Sequence, residues 1–120
     1  VPLTIRSGNK VHRFTVEVAR SGAEQAYGMM NRDSLPGDRG MLFPYDPPQA
    51  VAFWMKDTLI PLDLVFVAPG GTILNIIENA VPLSFEQLPS AGPVEAVLEI
   101  AGGRSAELGL KPGDRVEWPR

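Results

Sequence analysis

The chain has 120 residues, 44% of them hydrophobic and 21% charged, and contains no cysteine. That length and mixture predict one globular domain over residues 1–120 and speak against a disordered chain. Without cysteine there can be no disulfide, thiolate metal site or cysteine nucleophile. The formal charge of −3, from 14 acidic and 11 basic residues, includes no run of either sign that could follow a phosphate backbone, so no nucleic-acid partner is expected.

Lys56, Asp57 and Asp63 interrupt the longest hydrophobic region. It falls short of the roughly 18 to 20 apolar residues of a membrane helix, and the mature chain is expected to be soluble, with no membrane insertion. The sequence starts at Val1, which suggests a removed leading segment, an export signal being one form of it.

In chain order, short runs rich in Val, Ile and aromatic residues predict strands at Leu3 to Arg6 and Phe14 to Val18. Ser21 and Glu24 have capping-box spacing, which predicts a helix over about residues 22–29. Further strands are expected at Gly40 to Phe43, Val51 to Met55, Leu62 to Val67 and Ile73 to Ile77, with Pro69-Gly70-Gly71 as the turn between the last two. A strand over Val94 to Ile100 and a helix over about 103–108 that stops at Gly109 follow. Lys111-Pro112-Gly113-Asp114 then turns into a last strand, Arg115 to Trp118.

Phe14, Val16 and Val18 alternate with Thr15 and Glu17, and Val94, Ala96, Leu98 and Ile100 alternate with Glu95 and Glu99, which predicts one wet face for each strand. Leu64 to Val67 is apolar at consecutive positions, as expected of a strand buried on both sides. The fold class is therefore mostly β: a compact β-sandwich or barrel-like domain with two short helices.

The segment Phe53-Trp54-Met55-Lys56-Asp57-Thr58-Leu59-Ile60-Pro61-Leu62-Asp63 places residues costly to expose beside residues costly to bury. As a site, Trp54 supplies a flat apolar wall while Lys56 and Asp57 offer a donor and an acceptor. As structure, the same residues mark a strand leaving the core into a turn. Asp63 stands between Leu62 and Leu64 and needs a partner, for which Lys56 and Arg32 are the candidates. Glu99, expected on the wet face of its strand, could pair with Asp63 or Asp57 as acid and base. His12 is the only histidine, so there is no histidine pair for zinc, and without cysteine the common transition-metal sites are excluded. Met29, Met30, Met41 and Met55 read as adaptable core filler ahead of copper ligands. No glycine-rich phosphate loop or nucleophile elbow is present, and no cofactor is expected.

Gly28-Met29-Met30 with Arg32 and Leu35, Gly40-Met41-Leu42-Phe43, Phe53 to Thr58 leading into Ile60-Pro61-Leu62-Asp63, Val97 to Ile100, Gly102-Gly103 and Gly113-Asp114 occur in one order. Together they resemble the family called domain of unknown function 192, over about Phe14 to Val116. Asp57 and Met29 depart from it, standing where the family usually has asparagine and leucine. The resemblance implies a bacterial or archaeal domain of the β-sandwich kind, often behind an export signal or lipid anchor, with no established activity. It also implies that Arg32, Trp54, Lys56, Asp57, Asp63 and Glu99 occupy motif positions.

These readings lead to one expectation and two rivals. The expected protein is a non-enzymatic binding domain of the bacterial cell envelope, periplasmic or secreted and monomeric. Its ligand would be a small molecule or an envelope component, held by Trp54, Lys56 and Asp57 with Arg32 completing the pocket. One rival is a small hydrolase or lyase using the Asp63 and Glu99 carboxylates. The other is a protein-interaction module with a flat apolar patch around Trp54 and Pro61.

Overall fold

The computed structural model describes all residues, 1–120. Nine strands and two helices follow one another as β1 (Pro2–Ser7), β2 (Lys10–Val18), α1 (Gly22–Tyr27), β3 (Arg39–Gln49), β4 (Ala52–Phe53), β5 (Leu62–Val67), β6 (Ile73–Ala80), β7 (Leu88–Pro89), β8 (Val94–Ala101), α2 (Arg104–Leu108) and β9 (Arg115–Glu117). Seven strands form one sheet in the order β6-β5-β8-β3-β2-β1-β9, and β4 with β7 makes a separate small ribbon. The large sheet curls until its two edges meet. A bridge joins Thr72 to Arg115, and Ile73 N–H donates to the Asp114 carbonyl at 2.8 Å while Val116 N–H donates to the Gly71 carbonyl at 2.7 Å. The barrel-like form of the expected mostly-β fold is the one adopted.

Pairing is antiparallel except between β2 and β3, which run parallel. Parallel neighbours need a crossover connection, and here residues 19–38, including α1, supply it. The capping box at the start of α1 forms as its sequence predicts: Glu24 N–H donates to the Ser21 hydroxyl and Ser21 N–H to the Glu24 carboxylate. The helix ends at Tyr27, two residues short of the expected limit, because the chain turns at Gly28 with φ +50°. The second helix runs Arg104–Leu108, and Gly109, at φ +69°, closes it as expected.

Period-two alternation gives the sheet two apolar faces. Leu3, Ile5, Phe14, Val16, Leu42, Val65, Leu98 and Ile100 fill the inside of the curl. Met41, Phe43, Leu64, Phe66 and Val97 point outward from β3, β5 and β8 and are also buried. No large second sheet covers them. The connections around α1, β4 and β7 do, contributing Met29, Met55 and Leu88 to this outer core. The approach of β3 to β8 is close at Gly40, where an added Cβ would lie 2.6 Å from the Glu99 carbonyl oxygen.

Glu99 corrects the sequence expectation. Its strand has no wet face there: the side chain is 4% exposed, because it shares the outer face with Val97 and the crossover and loops cover it. Asp63 finds neither Lys56 nor Arg32. Fully buried, it accepts from Asn79 N–H at 2.8 Å, Gly103 N–H at 3.0 Å, Ser105 N–H at 2.9 Å and the Ser105 hydroxyl. One carboxylate thereby ties β5 to the end of β6 and to the start of α2. Backbone amides satisfy a buried carboxylate without the entropy cost of a long cationic side chain.

Replacing Asp63 by Asn puts an NH2 group among these donors and leaves at least one of them buried and unsatisfied. D63N is expected to lose about 2–3 kcal/mol in urea denaturation. A loss below about 0.5 kcal/mol would show that the junction does not depend on this carboxylate.

Candidate ligand-binding cleft

The loop coverage of the outer face is incomplete, and a cleft of about 290 Å³ opens through it. Its floor comes from the sheet: Phe43 and Tyr45 of β3, and Glu99 of β8. One wall is the end of α1 and the turn after it, with Tyr27, Gly28, Met29 and Met30. The other is β4 and the turn beyond, with Phe53, Trp54, Lys56 and Thr58. Phe53 stands edge-on to Phe43 at 5.0 Å between ring centroids and to Phe66 at 6.4 Å, geometry that locks an aromatic wall in place.

The wall carrying Trp54 and Lys56 is held by backbone hydrogen bonds from two sides, the 83–84 loop and the turn at Asn31. Met55 N–H donates to the Ser84 carbonyl at 3.0 Å, Leu83 N–H to the Thr58 carbonyl at 3.0 Å, and Asn31 N–H to the Asp57 carbonyl at 2.9 Å. Thr58 turns its hydroxyl onto the Lys56 carbonyl at 3.2 Å. Asp57 sits at φ +54°, a left-handed conformation that short polar residues tolerate. This accounts for Asp or Asn at that position on backbone grounds. The buried Met55 pins the segment into the outer core while Trp54 and Lys56, its neighbours on either side, are exposed.

Glu99 is the chemically distinctive group. Its cross-strand neighbours are Met41 and Leu64, both apolar, and its carboxyl makes no hydrogen bond or ion pair with the protein. Burial pushes its pKa up to about 8. Tyr45 beside it is pushed up to about 12, first by burial and then by repulsion from the Glu99 carboxylate. A carboxyl unpartnered within the fold, at the floor of an aromatic cleft, is open to an outside partner.

Trp54 is 45% exposed at the mouth, with the Lys56 ammonium 5.5 Å from its ring centroid and Phe85 tilted against it at 5.7 Å. Leu59, Val81, Leu83 and Phe85 are exposed too, so the loops paired at Met55–Ser84 and Thr58–Leu83 carry an apolar rim. Leu83 holds φ +66°, an uncommon conformation for a bulky residue.

Of the six residues singled out in the sequence, the cleft gathers Trp54, Lys56 and Glu99. Asp57 is exposed on the adjoining turn. Asp63 lies on the opposite face of the sheet, where it pairs across to Ile100. Arg32 does not complete this cleft: it forms a forked pair with Glu17, one contact being 3.0 Å from Nη2 to Oε1, and lines a neighbouring groove. That pairing holds the Glu17 pKa below the ordinary carboxylate range. Phe53 and Thr58 enter the sequence reading only as members of the 53–63 segment, and Tyr45 and Tyr27 do not enter it as site residues. Extending the Met41, Phe43 alternation by one step would have reached Tyr45.

No group of three or more His, Asp or Glu side chains gathers as a metal site, and no helix is long and apolar enough to cross a membrane.

The family model of DUF192, Uncharacterized ACR, matches residues 3–118. The chain belongs to this family. A crystal structure of a protein of unknown function from Novosphingobium aromaticivorans DSM 12444 superposes with a TM-score of 0.96 at 50% identity, covering 98% of this chain and 84% of that one. A second, of a "putative transcription regulator" from Sinorhizobium meliloti 1021, gives 0.94 at 40% identity over 97% of this chain and 91% of that one. No curated protein matches.

The buried carboxyl has a definite stability signature. The folded pKa of Glu99, about 8, exceeds its unfolded value of about 4.5, so the folded state binds the extra proton. This group's contribution is fully favourable below pH 4.5, declines as pH rises, and levels off above pH 8. The Glu17–Arg32 pair acts oppositely, losing its contribution as pH falls below the ordinary glutamate range. E99Q is expected to gain stability relative to wild type by about 2 kcal/mol or more between pH 5 and pH 9, read from urea midpoints. A constant difference across that range would contradict the unpartnered state of Glu99.

Proposed function

We propose that this member of DUF192 is a non-enzymatic binding domain, and that its site is the cleft floored by Glu99 and walled by Trp54, Phe53 and Tyr45. The observation that carries this reading is the Glu99 carboxyl itself: 4% exposed, without a protein partner, and facing a cleft of about 290 Å³. A fold retains so costly a group most readily when a ligand completes it. The apolar rim from Trp54 to Phe85 lets a ligand longer than the cleft continue along the surface. The family resemblance, with its export signals and lipid anchors, supports a place in the bacterial cell envelope. Nucleic-acid binding is left out of the proposal, because the formal charge is −3 and the basic residues are scattered.

A second reading, a small hydrolase or lyase, has one observation in its favour: a carboxyl with a pKa of about 8 is suited to proton transfer near neutrality. It would rest on Glu99 without Asp63, whose oxygens are taken up by four hydrogen bonds. Lys56 would then be left to hold a substrate anion.

A thermal-shift screen against glycans, amino acids, peptidoglycan fragments and anions tests the binding reading. Any hit is expected to weaken about tenfold or more in W54A and in E99Q, a loss of about 1.4 kcal/mol. Unchanged affinity in both folded variants would place the binding elsewhere, and turnover of a hit by wild type but not by E99Q would favour the enzymatic reading.

A further inference from the structure

The cleft reading can be taken one step further, to the chemistry of its occupant, and the step rests on that reading. From the surroundings of Glu99 we infer that the cleft takes an amine-bearing small molecule, with the ammonium on the Glu99 carboxyl and an apolar body against Phe53 and Trp54.

The argument begins with what surrounds the carboxyl. On the sheet its flanking residues are Met41 and Leu64, which offer no donor. Tyr45 of β3 and Tyr27 at the end of α1 are the titratable groups of the floor and near wall, and Lys56 is the one cation that lines the cleft. Beyond Met41, Glu17 and Arg32 share the face but are engaged with each other. Lys56 does not reach Glu99; its ammonium lies over Trp54 at the mouth. The floor therefore holds one carboxyl and no cation to meet it.

Three ligand classes fit this unequally. A carboxylate or phosphate directed to the floor would stand beside Glu99 with no guanidinium or ammonium there to receive it, and repulsion would disfavour it. A neutral hydroxyl can bond to the carboxyl but leaves its ionised form uncompensated. An ammonium supplies the missing charge and donors together, and aromatic faces of the kind given by Phe53, Tyr45 and Trp54 attract a cation further when water is excluded. An anionic group elsewhere on the same molecule would meet Lys56 at the mouth.

Entry of an ammonium favours the ionised carboxylate, so binding releases a proton from Glu99 wherever the empty site holds one. Affinity should then rise with pH toward about 8, the value to which burial has lifted this carboxyl.

The test uses three probes of one shape, benzylammonium, benzyl alcohol and benzoate, titrated into the protein while its amide resonances are followed by NMR. Benzylammonium is expected to shift the signals of Phe53, Thr58 and Glu99 and to bind more than about tenfold tighter at pH 8 than at pH 6. In E99Q both the tighter binding and its pH dependence should disappear. Benzyl alcohol binding as tightly as benzylammonium, or benzylammonium binding E99Q as well as wild type, would overturn the ammonium assignment and leave the cleft as a binding site. Binding of benzoate alone would do the same. Failure of all three probes to shift any cleft resonance would overturn both the assignment and the binding reading beneath it.

Discussion

A sheet that curls until its edges meet has two apolar faces and one interior, and the rest of this molecule follows from that mismatch. The inner face buries itself. The outer face of β3, β5 and β8, lined by Met41, Phe43, Leu64, Phe66 and Val97, has to be covered by connections, which are poorer in apolar area and shorter of regular hydrogen bonds than a second sheet would be. Met29 and Met55 reach down from two connections, and Leu88 from the small β4–β7 ribbon, to do it. Where their coverage stops, a cleft opens over Glu99.

Two of the three buried carboxylates, Asp63 and Glu99, show how differently one type of group can be used. Asp63 is surrounded by donors from Asn79, Gly103 and Ser105, so its charge organises backbone that would otherwise be left unsatisfied at the start of α2. Glu99 is surrounded by methionine, leucine and aromatic side chains and receives no donor. The first arrangement is complete within the protein and structural in effect; the second is chemically open. The same contrast separates Arg32, matched to Glu17, from Lys56, which rests on an aromatic face with its donors free for the cleft mouth.

The 53–63 segment draws on both uses. Phe53 and Met55 are anchors in the outer core, and Asp57 takes a left-handed backbone that receives Asn31. Between these fixed points Trp54 and Lys56 are presented outward at the mouth of the cleft. Apolar and charged residues crowd together in the sequence because the chain alternates between gripping the core and facing the opening.

Much of this architecture was legible in the amino-acid sequence. Alternation and turn residues placed the strand over Leu62 to Val67, the Pro69-Gly70-Gly71 turn, the Ser21–Glu24 cap and the Gly109 stop, because each rests on local backbone chemistry that a few residues determine. The uninterrupted apolar run from Leu64 likewise announced burial on both sides. What covers the second side was decided only by tertiary structure. Alternation sets Glu99 on the face opposite Leu98 and Ile100, but whether that face meets water depends on where the crossover and two distant loops come to rest. The partners of Asp63 are backbone amides, which every residue carries and no sequence pattern marks. For the same reason the grouping of Glu99 with Tyr45, Trp54 and Lys56 emerges only in three dimensions, where long-range packing fixes which side chains share a cleft.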